Sequence, residues 1–341
     1  MRWLAALAMG AFMTADPGFA QPEYQIIDFA ELEGWAEDDH QAALSVFLDT
    51  CTDIDDPEWQ SLCALATSQP DAKTYFELFF RPVVINPNET ALFTGYYEPE
   101  LQGSRFRGGQ YQYPLYKLPP EIKPGTAWFT REEIENQGLL RNRGLEIVYI
   151  NDPVDVFFLQ VQGSGRVALQ EGGALRVGYA GKNGREYKSI GQELVRQGIY
   201  QPHQVSAQVI KRWVRNNPVH GRALLQHNDS FVFFREVSEV PAHKGPLGAM
   251  NRSITPMRSI AIDPAFTKLG APVWIEKKGR EPLNRLMIAQ DTGSAIKGAQ
   301  RADIYYGTGS QAGRRAGSIK DPGRLVVLMP IQIAHALAPE G

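Results

Sequence analysis

The order of hydrophobic and polar residues divides the chain near residue 90. Between residues 26 and 80 the apolar side chains follow a helical period, with Leu44, Phe47 and Leu48 at i, i+3 and i+4. Residues 58–66 and 74–80 continue this pattern, and Asp71 is placed to cap the last helix. We therefore expect a helical N-terminal lead-in whose main role is packing.

Beyond residue 90, aromatic and β-branched residues dominate the apolar segments, which is typical of strands. The strands predicted before a polar, proline-containing crossing at 236–244 are 91–97, 145–150, 156–162, 175–179 and 231–234. Helices are predicted at 131–137, 190–197 and 206–216. The strands predicted after the crossing are 259–262, 273–276, 286–289, 304–306 and 325–329. Short strands separated by glycine turns predict a mainly β protein with a small closed barrel.

One glycine-rich segment imitates a nucleotide-binding motif. Gly163-Ser164-Gly165 begins a G-x-G-x-x-A spacing that ends at Ala168. That motif requires a helix directly after it, whereas the residues 171–173 are E-G-G and interrupt the chain. A β-hairpin is the better interpretation, and we expect no cofactor.

The first twenty residues have the pattern of a secretory signal. Arg2 precedes an apolar run at 3–13, and G-F-A at 18–20 provides a small-x-small cleavage site before Gln21. We expect removal of residues 1–20 and export to the periplasm. The residue directly after the expected cleavage site is Gln21 and not cysteine, so the sequence does not support a lipid anchor. Association with the outer membrane stays open.

The charge and the cysteine and histidine content bear on nucleic-acid binding, disulfides and metal sites. The formal net charge of −3 gives no indication of nucleic-acid binding. Two cysteines, Cys51 and Cys63, lie close together, and in an exported protein such a pair predicts one disulfide. The six histidines are scattered without ligand spacing, so we expect no metal site.

The candidate chemistry lies between residues 285 and 306. Asp291 follows an apolar run and begins a turn, and Asp303 precedes a second apolar run. Lys297 lies between them. Carboxylates on the ends of rigid strands are suited to acid–base catalysis, but the same residues could cap a turn or pair with Lys297 or Arg301.

Predicted strand ends also carry side chains that bind sugars. Aromatic rings stack on sugar faces, while amides and hydroxyls bond to sugar oxygens, so this lining suits a carbohydrate groove. The side chains in question are Tyr96, Tyr97, Gln160, Gln162, Tyr179, Asn183, Tyr305 and Tyr306.

Several blocks together resemble the membrane-bound lytic transglycosylase A (MltA) family, whose C-terminal part is a 3D domain. The blocks appear in family order and cover most of residues 93–329. They are F-T-G-Y-Y-E-P (93–99), Y-P-L-Y (113–116), Q-V-Q-G-S-G (160–165), Y-A-G-K-N-G (179–184), Y-K-S-I-G (187–191), S-F-V-F-F (230–234), R-S-I (258–260), D-T-G-S-A-I-K-G (291–298), D-I-Y-Y-G (303–307) and A-G-R-R-A-G (312–317).

The resemblance implies a fold and a reaction. It implies a double-psi β-barrel built from residues 21–99 and 241–341, with a second β domain, 100–240, inserted between them. It also implies a murein lytic transglycosylase that cuts the β-1,4 bond between N-acetylmuramic acid and N-acetylglucosamine and leaves 1,6-anhydromuramyl ends. The family's catalytic acid corresponds to Asp303, and Asp291 and Lys297 would support it.

The same resemblance implies where the glycan strand binds. We expect the groove to lie between the two β domains, with peptidoglycan as the substrate. The expected lining residues are Thr94, Gly95, Tyr96, Gln162, Gly163, Ser164, Tyr179, Lys182 and Asn183. Partner proteins in a cell-wall enzyme complex stay open.

Two other functions remain at this point. An inverting glycoside hydrolase would use Asp303 as acid and Asp291 as base. A murein-binding protein without catalysis would retain only the groove. This sequence also departs from the family pattern in two places. The lipid-attachment cysteine is absent, and the segment between the two aspartates is slightly longer than expected.

Overall fold

The structure is a computed structural model, and it describes residues 22–68 and 71–338. The expected signal segment, residues 1–20, lies outside the described residues. None of the helices within the two described ranges is both long and apolar enough to cross a membrane.

Most α-helices of the described residues lie in the N-terminal lead-in or in the middle part of the chain, between residues 131 and 226. They are α1 (His40–Thr50), α2 (Pro57–Ala66), α3 (Ala72–Phe79), α4 (Arg131–Gln137), α5 (Pro153–Gln162), α6 (Ile190–Arg196), α7 (Ala207–Asn216), α8 (Pro218–Gln226), α9 (Gly309–Ala316) and α10 (Ile331–Leu337).

The strands form two sheets. They are β1 (Tyr24–Ile26), β2 (Phe80–Ile85), β3 (Ala91–Glu98), β4 (Glu100–Ser104), β5 (Tyr113–Tyr116), β6 (Glu146–Ile150), β7 (Gly165–Leu169), β8 (Ala174–Lys182), β9 (Val232–Glu236), β10 (Ser259–Ile262), β11 (Pro272–Lys277), β12 (Leu283–Thr292), β13 (Arg301–Thr308) and β14 (Lys320–Pro330).

The larger sheet closes into a barrel. Its order is β1-β2-β14-β11-β12-β10-β13-β3, and β3 also pairs with β14, so six strands form a closed ring. Closure removes the unpaired edges that an open sheet exposes. The interior is filled by apolar residues of these strands, among them Phe93, Ile260 and Ile304, which are fully buried. The predicted mainly β fold with a small closed barrel is confirmed, and the double-psi connection stays a prediction.

The smaller sheet has the order β5-β6-β4-β7-β8-β9 and its own core. Helices α5 to α8 pack a second apolar cluster beside it. The predicted domain boundaries at 99/100 and 240/241 stay a prediction, and each falls between strands that belong to different sheets.

The helical lead-in packs against the barrel as expected. Cys51 and Cys63 are joined by a disulfide whose Cα atoms lie 5.5 Å apart, and this bond connects the end of α1 to α2. The Asp71 carboxylate accepts a bond from the Thr74 amide and caps α3. Fully buried Phe47 lies at the centre of an aromatic cluster between these helices and β2.

One predicted strand is wrong. Residues 156–162 belong to helix α5, which begins at Pro153 and ends before Gly163. The Asp152 carboxylate accepts from the Val154 amide at the N-terminus, and Pro153 occupies the first helical position, where its missing N–H costs nothing. Gly163 ends the helix with φ of 80°, a left-handed conformation that suits glycine. The hairpin predicted after it is confirmed, because β7 and β8 pair antiparallel.

Both chain crossings between the sheets meet at one buried carboxylate. Glu98, at the end of β3, has a fully buried side chain and pairs with Arg166 at 2.9 Å and with Arg176 at 2.8 Å. Both arginines belong to the smaller sheet, and both also donate to the carbonyl of Lys244 on the second crossing. Thr308 of β13 donates to Glu98 at 2.8 Å. We call these four side chains, Glu98, Arg166, Arg176 and Thr308, the junction cluster.

Candidate active site

Three neighbouring barrel strands bring the two aspartates to one place. Strand β10 lies between β12 and β13, and Ala261 of β10 is the register partner of both Asp291 and Asp303. Directly opposed residues on adjacent strands point to the same face of a sheet. The two carboxylates therefore flank a small methyl group, with their Cα atoms roughly 10 Å apart from the usual spacing of strands.

Asp303 is held from the other side by β3. Strands β3 and β13 are parallel, and Asp303 is paired in register with Thr94. The Thr94 hydroxyl donates to Oδ1 of Asp303 at 2.7 Å, and the same hydroxyl oxygen accepts from the Arg301 guanidinium at 2.8 Å. Within the described chain, no protein group donates to Oδ2 of Asp303. One carboxylate oxygen thus fixes the orientation, and the other can face a ligand.

The environment of Asp303 favours its protonated form. Burial raises the pKa of the Asp303 carboxyl, while the hydrogen bond from Thr94 and the charge of Arg301 lower it by smaller amounts. The structure records no ion pair within 4 Å between Asp303 and any described cation. A carboxyl group with a raised pKa can deliver a proton near neutral pH.

Asp291 has a different set of partners. Its Oδ2 accepts from the Tyr96 hydroxyl at 2.9 Å, and its Oδ1 accepts from the backbone amides of Ala249 and Thr292. Burial raises the pKa of Asp291 to about 6, these three donors lower it, and the negative charge of Asp303 raises it. Three of the roughly four acceptor positions of a carboxylate are therefore occupied by the protein.

Tyr96 joins the acid site to the junction cluster. Its ring lies 5.3 Å from the ring of Tyr305, and both side chains are buried. The Tyr305 hydroxyl lies 3.3 Å from the Thr308 hydroxyl, which in turn bonds to Glu98. A continuous set of contacts thus runs from Asp291 to the place where the two sheets meet.

The carboxylates open into a cleft of about 170 Å³ between the two sheets. The barrel contributes Tyr96, Ala261, the two aspartates and the turn 292–296. The smaller-sheet part contributes Arg131, Gln160, Val161, Gln162, Tyr187, Asn228, Ser230 and Val232. The lining combines amides, hydroxyls and aromatic rings, which is the composition suited to an uncharged, hydroxyl-rich ligand.

Several predicted binding residues do lie in or beside this cleft. Thr94 and Tyr96 bond directly to the aspartates. Gln162 lines the cleft, and its side-chain oxygen accepts from the backbone amide of Tyr97, which ties α5 to β3. Gly163 and Ser164 follow Gln162 at the end of α5.

Gly95 has a packing role. A Cβ at this position would approach the Cα of Ala316 at 2.7 Å and the ring of Tyr306 at 2.8 Å. Only glycine therefore lets β3 approach α9 so closely.

The remaining predicted residues need correction or stay predictions. Asn183 is fully buried and does not face the cleft, because its amide donates to the carbonyls of Phe129 and Asp229 and accepts from the amide of Phe231. Tyr179 is half exposed on β8, and Lys182 ends that strand. Neither touches the cleft, so their contact with substrate stays a prediction.

Lys297 also lies elsewhere. Its ammonium group is 3.5 Å from Asp263, its side chain is 67% exposed, and it pairs with neither Asp291 nor Asp303. Asp263 additionally accepts from the Gly298 amide at 2.9 Å. This third aspartate, which the sequence analysis missed, anchors the turn that joins the two acid-bearing strands. A D-P pair at the end of a predicted strand was its sequence signal.

Comparison with known proteins identifies two family domains in the chain. Residues 92–235 match the MltA specific insert domain, and residues 258–329 match the 3D domain. The membrane-bound lytic murein transglycosylase A of Vibrio cholerae is 37% identical over 264 residues, which are 73% of this chain and 69% of that protein.

Solved structures are similar over a greater length. The membrane-bound lytic murein transglycosylase of Agrobacterium tumefaciens aligns with a TM-score of 0.83 at 30% identity, covering 92% of this chain and 99% of the other. MltA of E. coli with bound chitohexaose aligns with a TM-score of 0.72 at 29% identity, covering 92% and 95%. The chain belongs to the MltA family of lytic murein transglycosylases.

Proposed function

We propose that this chain is a periplasmic lytic transglycosylase that cleaves the β-1,4 bond between N-acetylmuramic acid and N-acetylglucosamine in peptidoglycan and leaves 1,6-anhydromuramyl ends. The observation that supports this most strongly is the unequal state of the two aspartates. Asp303 has a raised pKa and one oxygen to which none of the described residues donates, whereas Asp291 is bonded through both oxygens.

The first step needs an acid. Protonated Asp303 donates its proton to the glycosidic oxygen, the bond between that oxygen and the anomeric carbon breaks, and the N-acetylglucosamine unit leaves as an alcohol. The positive charge that develops at the anomeric carbon is met by the carboxylate that Asp303 has become.

The second step needs a base and a nucleophile. The C6 hydroxyl of the same muramyl residue attacks the anomeric carbon, and its proton returns to Asp303. The nucleophile is already attached to the substrate, so proximity replaces a positioned water and a second carboxylate. Atoms balance without consumption of water, and the acid is regenerated for the next cycle.

The substrate assignment is supported by the cleft and by a relative. Its lining is rich in amides, hydroxyls and aromatic rings. The E. coli relative was solved with chitohexaose, a β-1,4-linked amino-sugar chain. We propose that glycan strands of murein lie along the corresponding cleft here, with Gln162 and Tyr96 on opposite walls and Tyr179 and Lys182 further along.

An inverting hydrolase is the second candidate, because Asp291 and Asp303 face the same cleft one strand apart on each side of Ala261. In that mechanism Asp291 would activate a water. The three donors on Asp291 argue against it, since they reduce the basicity of its oxygens.

Product analysis separates the candidates. Purified murein sacculi are incubated with the protein, and the released fragments are identified by mass spectrometry, where an anhydro end is lighter than a reducing end by one water. We expect anhydro ends. Reducing ends would establish the hydrolase, and binding to sacculi without release of fragments would establish a non-catalytic murein-binding protein.

A further inference from the structure

A second cavity, larger than the catalytic cleft, lies in the smaller-sheet part of the molecule. Its volume is about 980 Å³, and its walls come from β5, β6, α4, α5, α7 and α8. This volume lies at the upper end of the range for small-molecule sites, and it suits a short peptide better than a single sugar. The reaction proposed above does not use it.

The cavity has an excess of positive charge. Five arginines and three acidic residues line it, in a chain whose formal net charge is −3. Two of the arginines have acidic partners, since Arg215 pairs with Asp152 at 2.7 Å and Arg131 with Glu135 at 3.4 Å.

The other three arginines are not neutralised. Among the described residues, Arg107 donates only to the Gln112 amide oxygen and Arg222 only to that of Asn136. The side chain of Arg141 forms no hydrogen bond or ion pair there. The remaining carboxylate, Glu146, cannot balance three guanidinium groups. A cavity of this kind favours ligands that carry carboxylates, because a guanidinium group binds a carboxylate through two parallel hydrogen bonds.

Aromatic rings complete the lining. Tyr113, Tyr116 and Tyr149 come from β5 and β6, and each is at least partly exposed. Rings beside arginines bind the aliphatic parts of a peptide while its acidic groups meet the guanidinium groups.

The cavity adjoins the catalytic cleft. Arg131 and Gln160 line both, and the Arg131 guanidinium donates to the side-chain oxygen of Gln160 and to the carbonyl of Ser230. The Phe157 ring lies 4.8 Å from the same guanidinium. These buried side chains form a wall that both sites share, so the cleft and the cavity are immediate neighbours.

The two sites differ in the charge of the ligand that they suit. In a peptide-bearing strand the amino sugars are neutral, because the muramyl lactyl carboxyl is joined to the peptide by an amide bond, and this fits the cleft. The carboxylates of such a strand are carried by its short peptides. We propose that the arginine-lined cavity binds the acidic stem peptide of a murein strand whose glycan lies in the cleft. This proposal rests on the proposed function, and it makes peptide-bearing strands the preferred substrate.

The experiment compares two substrates and four proteins. The substrates are murein glycan strands with their peptides and the same strands after removal of the peptides by an amidase. The proteins are the wild type, the double variant Arg141→Ala/Arg222→Ala, the charge-retaining variant Arg141→Lys/Arg222→Lys, and Arg143→Ala. Arg143 is the matched control, because it lies on the same loop as Arg141 but pairs with Glu121 outside the cavity. Thermal unfolding verifies that each variant is folded.

For the wild type we expect a KM about five- to twentyfold lower on the peptide-bearing strands, with a difference that shrinks as salt rises. The double alanine variant should lose this difference while its kcat on peptide-free strands stays within about twofold. The lysine variant should keep part of the difference, and Arg143→Ala all of it. An equal KM on both substrates for the wild type, or an unchanged difference in the double alanine variant, would overturn the proposal.

A binding measurement separates this proposal from the proposed function. The peptides released by the amidase are titrated into wild type and double alanine variant by calorimetry. If neither strand is cleaved by any protein, the proposed function fails, but salt-dependent binding of the peptides to the wild type alone would still support the cavity assignment. Absence of peptide binding to the wild type would overturn it.

Discussion

The carboxylates of the junction cluster and of the catalytic cleft lie on barrel strands but have opposite surroundings. In the junction cluster the fully buried Glu98 meets two guanidinium groups within 3 Å. In the cleft, a few residues away along β3 and β13, the Thr94 hydroxyl is the one group among the described residues that donates to Asp303. Glu98 is fully buried and Asp303 is half-buried, yet only Glu98 has its charge compensated by close cations.

This difference separates a structural acid from a catalytic one. Burial of a charge is tolerated when cations and donors replace the lost water, and Glu98 has both. Without close cations, burial instead favours the neutral acid, and this raises the pKa of Asp303 and Asp291. The position of the arginines therefore determines which carboxylate holds the two sheets together and which can transfer a proton.

Removal of the acid should have the largest effect. Asp303→Asn keeps the size of the side chain and its bond to Thr94 but cannot deliver a proton. We expect turnover of murein to fall by about 10³-fold or more, because general acid catalysis alone accounts for about 10²–10⁴-fold and the base role is lost as well. Release of soluble fragments measures turnover, and sedimentation with sacculi measures binding, which should persist.

The matched control for that variant is Asp155→Asn, which alters a carboxylate that pairs with Lys211 and Arg215 and does not line the cleft. Its turnover should stay within about twofold of the wild type. If Asp303→Asn were as active as this control, the catalytic assignment of Asp303 would be wrong.

A substitution in the junction cluster should lower the stability of the fold more than it lowers catalytic activity. Glu98→Gln leaves two buried or half-buried guanidinium groups without their carboxylate, which costs about 3 kcal/mol in the free energy of unfolding. Urea denaturation measures this loss. Glu236→Gln is the control, since Glu236 pairs with Arg105 at the surface, and it should cost less than about 1 kcal/mol. Equal losses for the two variants would remove the contrast between the clusters.

Asp291→Asn should be less harmful than Asp303→Asn. Asp291 accepts hydrogen bonds from the Tyr96 hydroxyl and from the backbone amide of Ala249, so its role is to hold these residues beside the acid. We expect a loss of about 10- to 50-fold in kcat, the equivalent of one or two charge-assisted hydrogen bonds. Under the inverting-hydrolase alternative both aspartates are essential, so comparably severe losses for the two variants would favour that alternative.

The smallest effect concerns the pH profile. The Thr94 hydroxyl donates to the charged form of Asp303 and so lowers its pKa. Thr94→Val removes this donor, and the pKa of Asp303 should rise, because its charged form loses a hydrogen bond. Activity that depends on the protonated acid should then extend to higher pH. A basic limb of kcat/KM that stays in place or moves to lower pH would contradict this role for Thr94.

Local sequence signals predicted much of the fold and the centre of the site. The i, i+3, i+4 pattern around Phe47 predicted the lead-in, and apolar runs rich in aromatic and β-branched residues predicted most of the barrel strands. Helix α5 was missed because the run around Phe157 is apolar on most sides, so periodicity cannot separate a buried helix from a strand. Asp152-Pro153 is a start signal for that helix, because Asp caps the N-terminus and Pro is favoured at the first helical position.

Residues whose partners are distant in sequence could not be assigned in this way. Asn183 was expected to bind sugar, but its partners Phe129 and Asp229 lie 54 and 46 residues away. The arginines of the junction cluster lie 68 and 78 residues from Glu98. Nothing in the local pattern of either segment indicates that burial will join them.

In the proposed reaction Asp303 serves as both acid and base, and the muramyl C6 hydroxyl of the substrate takes the place of a water activated by a second carboxylate. The most direct measurement is cleavage of murein in water enriched in oxygen-18, with mass spectrometry of the new ends. We expect anhydromuramyl ends that carry no oxygen-18, because the C6 hydroxyl is the nucleophile. Reducing ends that carry one oxygen-18 each would contradict it and would identify a hydrolase.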